Sequence, residues 1–236
     1  MMRGTKGLIM AVAAALALTG CGLNFYAGRP TDVRRIHELS AELERLRQQK
    51  QQEADQLSQA KSMLERQLQD EIADKQVKLD MADRGLVITF VAEVLFDSGK
   101  AELKSTAVQA LNKVASVITQ KVADRDVGIE GHTDNQPIRV SGWKSNWELS
   151  TARAISVLHA MENAGVKPNR LVASGYGEYR PVVSNNDSSG RSKNRRVEIV
   201  ILPKKLTKRQ QEIVREAAAS GEPDMVAQAK EFESYK

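Results

Sequence analysis

The spacing of apolar residues changes character several times along the chain, and each change marks an element. Residues 8–18 form an uninterrupted apolar run behind Arg3 and Lys6. A bilayer core needs about 20 such residues, so the run reads as the hydrophobic region of a signal peptide over 1–20. A turn-prone linker over 21–30 follows, and the composition then shifts to Glu, Gln, Arg, Lys, Ala and Leu throughout 31–84. Ile36, Leu39, Leu43 and Leu46 keep the alternating three and four spacing of a heptad seam, which Lys50 and Glu53 interrupt. Leu57, Ala60 and Leu64 resume it, and Leu68, Ile72 and Leu79 continue after a shift of register. The pattern predicts a long coiled-coil-like helix, about 75 Å if it runs for roughly 50 residues. Two readings fit the seam: a parallel coiled coil that makes the protein a homo-oligomer through 31–84, or a single charged helix acting as a tether.

Gly85 breaks that pattern, and the following 85–203 read as one domain. Leu86–Val91 is an apolar, β-branched strand. Ser105–Gln120 places Val108, Leu111, Val114, Ala115 and Ile118 on one helical stripe. Val127–Glu130 is a second strand, and Ser145-x-x-Glu148 reads as a capping box opening a helix over Asn146–Asn163, stopped by Gly165 and Pro168. Leu171–Ser174 and Arg196–Leu202 supply two more strands around a polar loop at 185–190. The expected fold class is therefore α+β, a mixed four-stranded sheet with helices packed on one face, preceded by the long helix. The charged tail, 204–236, offers a short helix at Lys208–Ala219 and an otherwise disordered end, solubilising rather than anion-binding despite Lys204, Lys205, Lys208 and Arg209.

Composition narrows the function classes. Among 236 residues, 41% are hydrophobic but only 4% aromatic, which fits one ordinary domain plus non-globular segments. The net charge of +5 is the small difference of 35 basic and 30 acidic residues, a weak argument for an anionic partner and none for nucleic acid. Nucleophile-elbow, phosphate-loop and Cys/His-cluster motifs are missing, so a non-enzymatic protein without cofactor is expected. His132 and Asp134 lie two apart, but His37 and His159 fall on predicted helices with no companion spacing. Metal sites use three or four ligands, so no metal is expected and His132 reads as a structural hydrogen-bonding residue. Cys21 is the single cysteine, and Leu18-Thr19-Gly20-Cys21 resembles the bacterial lipobox. That resemblance implies acylation at Cys21 and, with Gly22 rather than an aspartate next, a protein lipid-anchored in the outer membrane and facing the periplasm.

The candidate chemistry lies where a strand end and a helix start meet. Asp134 follows the strand, Arg153 sits one turn or two into the next helix, and Asn146, Ser150 and Arg153 share its face. An acid and a base across a shallow cleft suit a zwitterion, an ammonium at Asp134 and a carboxylate forked by Arg153. On the residues alone, a structural salt bridge between the two is the stronger reading. A resemblance changes the balance. Gly131-His132-Thr133-Asp134, Asn146-x-x-Leu149-Ser150-x-x-Arg153-Ala154, Gly175-Tyr176-Gly177-Glu178 and Asn194-Arg195-Arg196-Val197-Glu198-Ile199 together resemble the OmpA-like C-terminal peptidoglycan-binding domain. Phe96-Asp97-Ser98-Gly99 matches the loop that flanks its ligand cleft.

The resemblance implies that Asp134 and Arg153 hold the free end of meso-diaminopimelate in a peptidoglycan stem. Thr133, Asn146, Ser98, Gly99 and Arg196 would join the ligand-binding set, although strand alternation puts only one of Arg195 and Arg196 on the cleft side. Trp143 and Trp147 flank the helix start, as a hydrophobic staple or a sugar-stacking surface. The resulting expectation is a lipoprotein coupling outer membrane to cell wall. The longer loop before Asn146 resembles the flagellar stator B subunit and keeps a second expectation open, a force-transducing stator-like subunit.

Overall fold

The computed structural model describes residues 30–139 and 142–232. The expected signal peptide, the expected lipidation site Cys21 and the linker up to residue 29 lie outside the described residues. The chain divides into a unit ending at Glu38 and a unit of Leu39–Lys236. The first contributes the opening turns of helix α1 (Pro30–Gln67), where Arg35 and Glu38 stand 3.6 Å apart in solvent.

In the second unit, the seam of α1 is buried as its spacing requires. Leu57, Ala60, Leu64 and Leu68 enter the core of the domain, in one cluster with Phe90, Leu111 and Ile118. Lys50, which breaks the seam in sequence, is 8% exposed and donates from Nζ to the Lys204 carbonyl at 2.7 Å, with Glu53 at 3.0 Å. Its charge is thus neutralised and hydrogen-bonded at the turn where the chain leaves the sheet.

The helix stops at Gln67, well short of the expected residue 84. A short helix α2 (Gln69–Ala73) and Lys75 at φ 58° turn the chain into strand β1 (Val77–Ala82). Val-Lys-Leu-Asp-Met-Ala also alternates with period two, and Asp83-Arg84 followed by Gly85 at φ 115° closes a hairpin onto strand β2 (Gly85–Val91). Pairing decided what Leu79 alone could not. The sheet consequently has five strands rather than four, in the order β1-β2-β5-β3-β4, with β3 (Val127–His132), β4 (Leu171–Gly175) and β5 (Arg196–Ile201). All neighbours are antiparallel except β3 and β4, which helix α5 (Asn146–Asn163) connects.

One face of the sheet carries Leu86, Ile88, Phe90, Val127, Ile129, Val197, Ile199 and Ile201, all fully buried. Against it pack α4 (Ser105–Lys121), through Leu111, Val114 and Ile118, and α5, through Ala154, Val157 and Met161. A helix α3 (Ala92–Leu95) follows β2 directly. The opposite face pairs Glu130 with Glu198 and His132 with Arg196 across β3 and β5. From the β1–β2 turn, Arg84 bonds both Glu130, at 2.6 Å, and Glu198.

Glycines set how closely α5 approaches. A Cβ at Gly131 would stand 2.0 Å from the Ser150 carbonyl oxygen, and one at Gly175 2.1 Å from Thr151 Oγ1. The first turns of α5 therefore rest on the ends of β3 and β4.

The segment after the sheet is not disordered. The expected helix forms as α7 (Lys208–Ala219) behind a Thr207/Gln210 capping box, and a further helix α8 (Pro223–Glu231) follows. The polar loop read at 185–190 likewise winds into helix α6 (Ser188–Asn194), capped by Asp187. Arg209 meets Glu42 at 3.2 Å, Gln210 meets Gln49 at 3.3 Å and Arg47 meets Glu231 at 3.5 Å. Leu39, Leu43 and Leu46 are at most 3% exposed within the single chain, as are Ala217 and Phe232. The apolar seam that suggested an oligomer is covered in cis.

Gly131→Ala should lower stability by roughly 1–3 kcal/mol through overpacking against backbone. Gly128→Ala, whose nearest neighbour would be Val200 Cβ at 4.0 Å, should stay within about 1 kcal/mol of the parent in urea melts. Deleting residues 207–236 should uncover Leu39, Leu43 and Leu46 and make sedimentation concentration-dependent; a truncated chain that sediments as a monomer would deny the tail this covering role.

Candidate functional site

An open cleft of about 970 Å³ lies at the end of the sheet where β3 gives way to the loop before α5. Its walls are the 96–100 loop, the 133–139 segment, the start of α5 and Arg195 just before β5. Ser98, Gly99, Thr133, Asp134, Asn146 and Arg153 all line it. The structure therefore brings together six of the seven candidate ligand-binding residues.

Asp134 is 6% exposed. Its Oδ1 accepts the Gln136 backbone N–H at 3.0 Å, an Asx-type turn, and its Oδ2 accepts from Arg195 Nη1 at 2.6 Å. Arg195 also donates to Glu93 from Nε at 2.8 Å and from Nη2. These two carboxylates hold the Arg195 guanidinium above its ordinary pKa against the opposing effect of burial.

Arg153 is 5% exposed, stacks its guanidinium 5.1 Å from the Phe96 ring centroid and donates from Nε to the Lys100 carbonyl at 2.9 Å. Among the described residues its two terminal nitrogens make no hydrogen bond and no carboxylate pairs with it. Burial pushes its pKa down; nearby Arg195 adds to this, while Glu93 and Asp134 oppose it. The structural salt bridge between Asp134 and Arg153 is thus not formed. Asp134 takes Arg195 as partner, and among the described residues no carboxylate forms an ion pair with the buried Arg153.

The other residues fasten the cleft. Asn146 Nδ2 donates to the carbonyls of Asp134, at 3.3 Å, and Gln136, at 3.1 Å, and to Glu178 at 2.7 Å. Its amide is spent on holding the loop to the helix start. Ser145 caps the helix by accepting the Trp147 N–H at 3.2 Å, and its hydroxyl bonds Glu148. Thr133 donates its N–H to Gly177 at 2.9 Å, leaving its hydroxyl unpartnered among the described residues. Trp143 is no staple: its indole N–H bonds the Gly99 carbonyl at 2.9 Å and pins the long loop to the 96–100 loop. Trp147 stands 47% exposed and stacks on Tyr179 at 5.0 Å.

Arg196, expected in the ligand set, lies elsewhere. Its side chain is on the opposite face of the sheet, 4% exposed, bonded to Glu198 at 2.6 Å and to the Asn194 and Arg180 carbonyls at 3.2 Å. Strand alternation separates it from Arg195, and Arg195 is the one at the cleft. His132 also diverges from Asp134, because β3 ends between them. Its ring stacks on Tyr176 at 5.3 Å, both nitrogens lack a hydrogen-bond partner among the described residues, and burial, with help from Arg196, pushes its pKa down to about 3. It is neutral and not the hydrogen-bonding residue expected. Glu93 was missed: a lone acid between Ala92 and Val94 carries no periodic signal.

Fold and cleft define a small α+β binding domain with a charged groove at a strand end. Residues 95–195 match the OmpA family, and this part of the chain is an OmpA-like domain of the peptidoglycan-binding type. Motility protein B of Bacillus subtilis is 39% identical over 151 residues, covering 64% of this chain and 58% of that protein. The probable lipoprotein YiaD of Escherichia coli is 32% identical over 139 residues, covering 59% of this chain and 61% of the relative. The solved cell wall anchor of the T6SS from Pseudomonas aeruginosa aligns with a TM-score of 0.55 at 32% identity, over 60% of this chain and 97% of that one. The chain spans little more than half the length of the curated relatives it matches. No helix among the described residues is long and apolar enough to cross a membrane.

Because Arg195 is the charge partner of a nearly buried carboxylate, Arg195→Ala should cost roughly 1–3 kcal/mol. Denaturant titration at neutral pH reads the loss, and a shift below about 0.5 kcal/mol would mean that solvent replaces the guanidinium.

Proposed function

We propose that this protein is a non-enzymatic peptidoglycan-binding lipoprotein whose cleft grips the free end of meso-diaminopimelate in the stem peptide. The observation that carries the proposal is Arg153, a buried guanidinium at the cleft whose terminal nitrogens, among the described residues, have neither a hydrogen-bond partner nor a paired carboxylate. Leaving a buried charge uncompensated is costly, so the site is built to receive an anion. A ligand carboxylate forked by the two terminal nitrogens supplies it. The ligand ammonium then seats at Asp134, with Arg195 retained on Glu93. A zwitterion brings one charge of each sign and so leaves the net charge of the cleft unchanged.

On this reading acylated Cys21 ties the protein to the inner leaflet of the outer membrane, with the domain in the periplasm. A second reading has specific support, because the 39% identity with Motility protein B extends over 151 residues. It makes the chain a stator-like, force-transducing subunit gripping the same wall. N-terminal mass analysis separates them: an acylated Cys21 supports the anchor, an intact Met1 segment the stator.

Asp134→Ala and Arg153→Ala should each reduce co-sedimentation with diaminopimelate-type sacculi by about tenfold or more, each stranding one charge of the ligand. Arg153→Met should lose binding while changing stability by less than about 1 kcal/mol, because it removes a cation without a carboxylate and keeps volume. Parent-like co-sedimentation of both alanine variants would overturn the assignment.

A further inference from the structure

The charged cluster on the sheet face away from the cleft points to a second site, and we infer that Glu130, His132 and Glu198 form a divalent-cation site of zinc type, closed by the Arg84 side chain. One oxygen of each carboxylate and one ring nitrogen of His132 lie within 4.8 Å of one another, and His132 Nε2 is 4.0 Å from Glu130 Oε2. Three features make this more than a pair of acids. Glu130 and Glu198 are directly opposed across β3 and β5, an arrangement of like charges that needs a cation between them. The imidazole beside them is 2% exposed, and neither of its nitrogens has a partner among the described residues. A nitrogen buried this deeply ordinarily finds one.

The cation present is Arg84, which meets Glu130 Oε2 at 2.6 Å and also contacts Glu198 Oε2. Those are the oxygens a metal would take, since Glu198 Oε1 is held separately by Arg196 Nε at 2.6 Å. Arg84 sits on the two-residue β1–β2 turn with its side chain 43% exposed, so it can leave for solvent. Zinc accepts imidazole nitrogen at about 2.0–2.1 Å and carboxylate oxygen at about 2.0–2.2 Å, and a tetrahedral set spaces its donors by roughly 3.4 Å. An ion between the three donors takes one nitrogen and two oxygens, and the fourth position falls to water. A hard, all-oxygen ion such as calcium would leave the imidazole unused.

Zinc titration of the full chain by calorimetry tests the site, with Arg84→Ala, Glu130→Gln and His132→Asn as variants and circular dichroism to confirm their folds. The expected result is one saturable zinc per chain, bound about tenfold or more tightly by Arg84→Ala, from which the competing guanidinium is gone. Glu130→Gln, at a half-buried position that keeps side-chain volume, should weaken binding by about tenfold or more even if His132→Asn fails to fold. Equal affinity in parent, Arg84→Ala and Glu130→Gln would place the ion elsewhere, for instance at exposed His159 and Glu162, and would overturn the inference. So would the lack of saturable binding to Arg84→Ala.

Discussion

The close seating of α5 on the ends of β3 and β4 is the constraint from which the cleft derives. Two glycine positions permit it, since side chains at Gly131 and Gly175 would collide with Ser150 and Thr151 at 2.0 Å and 2.1 Å. With the helix start drawn in, Ser150 accepts the Gly177 N–H at 3.0 Å and Asn146 reaches the carbonyls of Asp134 and Gln136. Arg153, on the same face about two turns further along, lines the cleft at the end of the sheet. Its burial and its lack of a partner carboxylate both follow from backbone packing.

The charges of the cleft divide unequally as a result. Asp134, Arg195 and Glu93 form a chain of short contacts that is satisfied internally. Arg153 has only a carbonyl and an aromatic face, interactions that compensate a guanidinium weakly compared with a carboxylate. On the proposed reading, ligand affinity comes mainly from the anionic end, with Asp134 and Arg195 setting which cation is accepted. The opposite face of the sheet has its own charge network around Arg84, separated from the cleft by the alternation of β5.

Much of the domain was legible because its elements are strongly periodic. The helix at Asn146–Asn163 forms over the expected span, and Gly165, at φ 95°, follows its end. The strands at 127, 171 and 196 begin at the expected residues. The stretch around Leu79 was not legible, since Val77–Ala82 satisfies a helical and an alternating pattern at once and only the hairpin at Gly85 selects between them. The cleft was legible as a set of residues but not as a set of partners. That Asp134 pairs with Arg195, 61 positions away, depends on which face of β5 precedes Val197.

Local composition by itself determined where the helices at Ser105, Asn146 and Lys208 and the strands at Val127, Leu171 and Arg196 start, and that Asp134 and Arg153 flank one loop, because these depend on neighbours within a few residues. Tertiary structure alone decided that the heptad seam is covered within the chain, by the sheet domain at Leu57–Leu64 and beside the C-terminal helices at Leu39–Leu46, that Arg195 rather than Arg196 faces the cleft, and that no described carboxylate pairs with Arg153. Burial and pairing of charge are properties of contacts distant in sequence, and periodicity, however strong, records only that a face is apolar and not what will cover it.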